Sequence, residues 1–344
     1  MKTRNRVMKK PKGNTLNIRN TLLTAVILIF SLSTSSYAEY YRGVNLSGAE
    51  FGTSRLPGKI YFNYIYPREE EVDFFHKEGM NTFRVPFRWE RIQHEAYGDL
   101  DREELKRLKK ITDQITSRGR NIILDVHNYA SYYGDKIGSN ELPIAAFSDL
   151  WEKLAEEFKH NDNVFFGLMN EPSKMKTEVW FEAANAAIAS IRNTGSDNLI
   201  LVPGNGYSGA SSWSSSWYGT PNSEVMINIK DPKNNFIYEV HQYFDAYSVG
   251  NSDQCVDDQI GVRRLAKYTE WLRENKKKAL LGEFGAADNL VCLAALDNTL
   301  NFMEENKDVW QGWTYWSAGP WWGNYMFELP KEDSLKLQIL KKYF

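Results

Sequence analysis

The chain has 344 residues, 42% of them hydrophobic and 25% charged, with a formal net charge of −2. That balance excludes a disordered or fibrous chain and gives no electrostatic reason to expect nucleic acid as a partner. The aromatic share is 14%, with eleven Trp; most such rings pack in cores, and a surplus can line a ligand surface.

The first twenty residues carry seven Lys or Arg and no acid, Leu22–Phe30 is apolar, and Ser36-Tyr37-Ala38 has small residues at its first and third places. This is the layout of a secretory signal peptide, 1–38. Its apolar stretch is too short for a bilayer, which takes about 20 residues to span. The mature chain, 39–344, is then expected in the periplasm or outside the cell, as one domain, since no linker or low-complexity tract divides it.

Beyond Glu39, short apolar runs alternate with segments of helical period. Tyr41–Leu46 (YRGVNL) and Thr82–Phe87 (TFRVPF) read as strands; Arg102–Arg118 reads as a helix with Leu105, Leu108, Ile111 and Ile115 on one stripe. Asn121–His127 (NIILDVH) is a third strand, followed by a helix over Ala146–His160 with Phe147, Trp151, Leu154 and Phe158 on its apolar side. The order continues with strand Val164–Asn170 (VFFGLMN), helix Glu178–Arg192, and strands Asn198–Val202 (NLILV) and Phe236–His241 (FIYEVH). It closes with helix Gln259–Glu274, strand Lys278–Glu283 (KALLGE), helix Leu293–Asn306, strand Gln311–Trp316 (QGWTYW) and helix Ser334–Tyr343. Strands alternating with helices imply a parallel sheet buried on both faces. The expected class is therefore α/β, a (β/α)8 TIM barrel, with an open doubly wound sheet as the alternative.

In such a barrel the loops after the strands form the active-site face. The strand ends here carry Arg84, His127-Asn128, Asn170-Glu171, His241 with Tyr243, Glu283 and Trp316. These residue types are costly to bury without partners, and the topology brings them to one rim. Pro172 is expected to hold Glu171 extended. Two carboxylates facing each other across a cup suit glycoside hydrolysis, one protonating the leaving oxygen and the other attacking the anomeric carbon or activating water. Either one alone is as readily a structural ion pair.

The segments RGVNLSG, FRVPF, DVHNYASYYG, LMNEP, ILVPGNGYSGASSW, YEVHQYFD, GEFG and WTYWSAGPWWG, taken in order, resemble glycoside hydrolase family 5, especially its secreted endo-β-1,4-glucanases. The resemblance implies a retaining double displacement on a β-glucan polysaccharide or oligosaccharide, with no cofactor and no metal. It assigns Glu171 as general acid/base and Glu283 as nucleophile. Arg84 and Tyr243 would align Glu283, Asn170 would meet the sugar 2-hydroxyl, His127 and His241 would complete the hydrogen-bonded ring around the scissile sugar, and Asn128 would add substrate-binding or catalytic support. Trp316 would stack on a pyranose, with Trp321, Trp322, Tyr132 and Tyr133 as softer candidates. A mannanase, a xyloglucanase, a mixed-linkage glucanase or a non-catalytic carbohydrate-binding barrel on the same scaffold are the alternatives. The expected protein is a monomer, with no nucleic-acid partner and no membrane contact after signal cleavage.

Phe284 follows Glu283 where relatives often carry a small residue or Thr, a departure that bears on cup width. Cys255 lies in the insertion 246–258 and Cys292 beyond the next strand. A disulfide clamping the two loops fits an oxidising compartment, with two buried thiols as the alternative. Gly204–Gly209 (GNGYSG) matches the dinucleotide fingerprint, but the loop-like ASSWSSSWYGTPNS follows instead of a helix, so no cofactor is read from it.

Overall fold

The computed structural model describes residues 1–2, 7–13 and 39–344; the proposed signal segment falls mainly outside the described residues. Eight apolar runs form strands: β1 (Tyr41–Leu46), β2 (Thr82–Phe87), β3 (Asn121–Val126), β4 (Val164–Gly167), β5 (Ile200–Pro203), β6 (Phe236–His241), β7 (Ala279–Glu283) and β8 (Trp310–Ala318). Neighbours pair in parallel, and β8 returns to β1 with Tyr41 opposite Gly312 and Val44 opposite Tyr315. The sheet is therefore a closed (β/α)8 barrel, and the open-sheet alternative falls.

Around it lie α1 (Glu69–Lys77), α2 (Arg102–Thr116), α3 (Ile144–Phe158), α4 (Thr177–Asn193), α5 (Asn222–Val225), α6 (Ile260–Glu274), α7 (Leu290–Glu305) and α8 (Leu335–Lys341). The predicted stripe of α2 buries Leu108, Ile111 and Ile115, and the Asp101 side chain caps its start by accepting from Glu104 N. α1 and α5 were not foreseen. In α1 only Val72 and Phe75 supply a buried apolar side, but three Glu in its first turn suit the helix dipole, and Arg68 N donates to Glu71 Oε2 at 2.6 Å. α5 is a single turn, too short to carry a period.

Alternation along the strands builds the barrel interior in layers. Ile123, Phe165, Leu201, Ile237 and Leu280 form an apolar floor. Two residues further along β3 and β6 the inward positions become Asp125 and Glu239, and two further again His127 and His241. On β4 and β7 the positions after the floor are Gly167 and Gly282, which leave room for the charged layer. Most of the aromatic surplus packs outside the barrel: Trp89, Trp151, Trp180, Trp213, Trp310 and Trp313 are fully buried.

Cys255 and Cys292 form a disulfide with Cα atoms 5.3 Å apart. Cys292 sits in the first turn of α7 and not in a loop, where its N–H donates to the capping Asn289 side chain. The bridge thus ties the loop after β6 to a helix start. Replacing both cysteines by Ser opens a link between residues 37 apart. In the chain-entropy account this costs about 4 kcal/mol, so calorimetry should show the thermal midpoint falling by roughly 6 °C. Reductant should lower the midpoint of the wild type and leave the double variant unmoved.

Candidate active site

Arg84 on β2 is fully buried and organises the charged layer. Its Nη1 donates to Glu283 Oε1 and to Asn45 Oδ1, each at 2.9 Å, and its Nη2 donates to Asn170 Oδ1 at 2.9 Å. It also ion-pairs with Asp125 Oδ2 at 3.1 Å through Nη1 and with Glu239 Oε1 at 2.7 Å through Nε. Carboxylates from three strands therefore share one cation.

Glu283 ends β7 with both oxygens occupied, since Tyr243 Oη donates to Oε2 at 2.9 Å. Burial pushes its carboxyl above the ordinary range, while the His241 and Arg84 cations pull against that shift. Burial also holds the Tyr243 phenol far above its usual range, with Glu283 adding to the effect, so the group stays a donor. His241 Nδ1 meets Glu171 Oε1 at 2.7 Å and lies 3.5 Å from Glu283 Oε2. Donor atoms of Glu171, His241 and Glu283 all fall within 4.8 Å of one another. That spacing would also suit a cation's ligands, but these atoms are taken up by each other and by Arg84 and Tyr243, so we assign no metal to them.

Glu171 stands four residues past the end of β4. Its backbone is not extended, as Pro172 suggested, but left-handed, with φ 45°. The neighbouring backbone accounts for this: Asn170 N donates to Val126 O, Tyr129 N donates to Asn170 O, and Tyr207 N donates to Pro172 O. The chain is pinned on both sides of Glu171, and the turn between aims the carboxylate at His241. A non-glycine residue in this region costs of order 1–2 kcal/mol, which the surrounding bonds must offset.

His127 Nδ1 meets Asp125 Oδ2 at 2.7 Å, and Asn170 Nδ2 meets His127 Nε2 at 3.1 Å. Burial pulls the His127 imidazole down to about 3. At His241 burial alone would also lower the value, but Glu283, Glu171 and Glu239 outweigh it and push the group up to about 10. The two histidines of one site are thus shifted in opposite directions.

Trp316 lies parallel to His127, with ring centroids 5.6 Å apart, and Trp322 packs edge-on against it. Trp322 is half-buried against Tyr325 and Phe51, whereas Trp321 is exposed. Asn128 does not join the ring. Its amide accepts from Trp89 N and donates to Glu90 Oε2 and Ser131 O, so it ties the short helical turn Trp89–Ile92 after β2 to the loop after β3. Tyr132 is likewise a packing residue, buried on Trp89 with its hydroxyl donated to Gln93 O; Tyr133 is exposed but leans on Tyr132. In the dinucleotide-like motif Gly206 lies in a turn and Gly209 bridges to His241, while Gly204 N donates to Ser208 Oγ. Sequence reasoning passed over Asn45, Asp125 and Glu239. The D-x-H and E-x-H spacing in NIILDVH and FIYEVH places acid and histidine on one strand face, a signal that could have found the latter two.

A cavity of about 590 Å³ opens beside Glu171 and His241, lined also by Tyr129, Tyr207, Trp217 and Tyr247. Tyr207 and Trp217 stack with centroids 6.4 Å apart and stay exposed, Trp217 at 63%. Such an aromatic wall suits the flat faces of sugar rings.

The family model described as cellulase (glycosyl hydrolase family 5) matches residues 42–319. The chain is 37% identical over 306 residues to endo-beta-1,4-glucanase B of Aspergillus niger, covering 88% of this chain and 89% of that one. Among solved structures, the endo-beta-1,4-glucanase Xac0029 from Xanthomonas axonopodis pv. citri superposes with TM-score 0.87 at 45% identity, over 88% of this chain and 98% of that one. XacCel5A in complex with cellopentaose gives the same TM-score and identity, over 90% and 100%.

Replacing Arg84 by Met should strand Asp125, Glu239 and Glu283 without their shared cation. Breaking a buried pair in this way costs about 3–5 kcal/mol. Urea unfolding at pH 7.5 should show that loss, and it should shrink as pH falls and the stranded carboxyls take up protons.

Proposed function

The chain belongs to glycosyl hydrolase family 5, and we propose that it is an endo-β-1,4-glucanase that cleaves internal bonds of β-glucan with retention, using Glu171 as acid/base and Glu283 as nucleophile. The observation that carries this reading is the approach of the two carboxylates to within 4.8 Å. Retaining sites hold the pair about 5–5.5 Å apart, whereas inverting sites leave about 6.5–9.5 Å for a water.

The double displacement maps onto named atoms. Glu283 attacks the anomeric carbon while the leaving oxygen takes a proton from Glu171; water, activated by Glu171, then hydrolyses the glycosyl-enzyme. Arg84 and Tyr243 hold Glu283 in line from opposite oxygens. Asn170 donates one amide proton to His127 and keeps the other for the sugar 2-hydroxyl. Trp316 offers its ring to the glycone sugar, and Tyr207 and Trp217 line the aglycone side next to Glu171. Trp321 and Trp322 extend the glycone wall.

Residues 1–38 are read as a cleaved export signal, on the basic, apolar and small-residue order of that segment. The disulfide favours an oxidising compartment. No helix among the described residues is long and apolar enough to cross a membrane. The working unit is taken to be a monomer of residues 39–344.

With carboxymethylcellulose or cellopentaose as substrate, Glu283→Gln should reduce turnover below detection while the folded protein still binds oligosaccharide. Glu171→Ala should lose about 10²–10⁴-fold on substrates with poor leaving groups and recover with azide on an activated aryl cellobioside, yielding the β-glycosyl azide. Proton NMR of wild-type digests should show the β-anomer formed first; an initial α-product would overturn the retaining assignment.

A further inference from the structure

Two buried carboxylates beneath the site take no part in the double displacement. Asp125 and Glu239 each precede a histidine by two residues, so acid and imidazole share one inward face. Their consequences differ. His127 Nε2 faces Asn170 Nδ2, which can only donate because Asn170 Oδ1 already accepts from Arg84. His127 is therefore neutral, with its single proton on Nδ1 toward Asp125.

His241 faces carboxylates from both ring nitrogens: Glu171 at 2.7 Å and Glu283 at 3.5 Å from Nδ1, and Glu239 at 3.4 Å from Nε2. A neutral imidazole has one N–H and would aim a lone pair at a carboxylate on the other side. Two protons satisfy both. The charged groups of this layer are Arg84 from β2, Asp125 from β3, Glu171 after β4, Glu239 from β6 and Glu283 from β7. Among them Glu239 is the one that meets Nε2.

We propose that Glu239 is a positioning residue that keeps a second proton on His241, and that this proton is the one Glu171 passes to the leaving oxygen. The inference rests on the roles given to Glu171 and Glu283. In glycosylation the glycosidic C–O bond breaks as Glu283 bonds the anomeric carbon; Glu171 takes the proton of His241 Nδ1 across their hydrogen bond and passes it to the departing oxygen. Before the step the charges on His241, Glu171 and Glu283 are +1, −1 and −1, and afterwards 0, −1 and 0, so none is created or lost. The coupling is electrostatic, because the strongest support for the His241 proton is the charge of Glu283, which vanishes on ester formation. In deglycosylation water attacks, Glu283 regains its charge, and the proton of water returns through Glu171 to His241.

The barrel leaves space for this arrangement. A Cβ at Gly282, next to the nucleophile, would lie 2.3 Å from Glu239 Oε1 and 2.7 Å from its Cγ. The strand that carries Glu283 thus lacks a side chain where Glu239 must stand.

Imidazole ¹⁵N spectra of the wild type at pH 7 should show both His241 nitrogens protonated and His127 Nε2 bare. In Glu239→Gln one His241 nitrogen should become bare at pH 7, and the alkaline limb of kcat/KM on cellopentaose should move down by at least about one pH unit. The loss on phenyl cellobioside should exceed that on 2,4-dinitrophenyl cellobioside at least tenfold, since only the first needs the proton. Gly282→Ala, which pushes Glu239 aside, should reproduce that leaving-group dependence. A wild-type His241 with a bare nitrogen at pH 7 overturns the proposal without recourse to any variant, as does an equal loss on both glycosides with an unmoved limb. Trapping with a 2-deoxy-2-fluoro-cellobioside separates the two levels. Label on Glu283 with failed histidine readouts sinks this inference alone, whereas label elsewhere sinks the reading of the site.

Discussion

One guanidinium, sealed inside the barrel, sets the terms for everything above it. Arg84 reaches Asp125, Glu239, Glu283, Asn45 and Asn170 from a single side chain. A planar fork of five donors can serve partners in several directions, which a lysine ammonium on a flexible stem could not do with the same fixity. The apolar floor of Ile123, Phe165, Leu201, Ile237 and Leu280 keeps water out from below, so the charges are strengthened by their surroundings and each must be answered locally. Burial pushes Asp125 up to about 7 against the pull of Arg84. At Glu239 burial pushes upward too, but Arg84 and His241 outweigh it and hold the carboxyl below its usual range. The same cation therefore acts differently on two acids, according to what else each one touches.

The strands were the most legible part of the sequence. Tyr41–Leu46, Thr82–Phe87 and Phe236–His241 carry their bounds in the residues themselves, because continuous apolar runs end at turn-forming or polar residues. Val164–Asn170 was read too long, since strand pairing stops at Gly167 and the inward chain then bends to present Glu171. The α1 segment EEEVDFFHK was missed because two buried apolar residues do not make a stripe. Among site residues, the strand-end carboxylates, the histidines, Arg84 and Tyr243 stood out as polar groups in apolar runs. Asp125 and Glu239 were hidden by being one step inside those runs. Asn128 was misjudged for the opposite reason: its position beside His127 points it into the loops, and a strand's alternation carries no information past the strand's end.

Backbone strain collects around the cleft. Tyr129, Ala130, Glu171, Tyr207 and Ser208 all have positive φ, in segments that follow β3, β4 and β5. Left-handed non-glycine residues persist only where their surroundings over-determine them. Here the determinants are mutual, since Tyr129 N binds Asn170 O and Tyr207 N binds Pro172 O. The three loops hold one another, which places the Glu171 carboxylate and the aromatic wall beside it on a common support.

The closure of the barrel by its first and last strands has a consequence for the life of the chain. Asn45 on β1 donates to Gly282 O on β7 and to Thr314 O and Tyr315 O on β8, while also accepting from Arg84. The cation at the centre is thus braced by a residue whose own bonds await segments some 240 to 270 positions downstream. Non-local pairings of this kind form late, because the loop entropy must be met before the contact repays it. A ribosome feeding the chain from its N-terminus releases Asn45 early and Trp316 almost last, so the nascent polypeptide holds Arg84, Glu171, His241 and Glu283 before it holds the strand that braces them. The ring around Arg84 is complete only with the eighth strand in place, because Asn45, which accepts from Arg84, donates to Thr314 O and Tyr315 O on that strand.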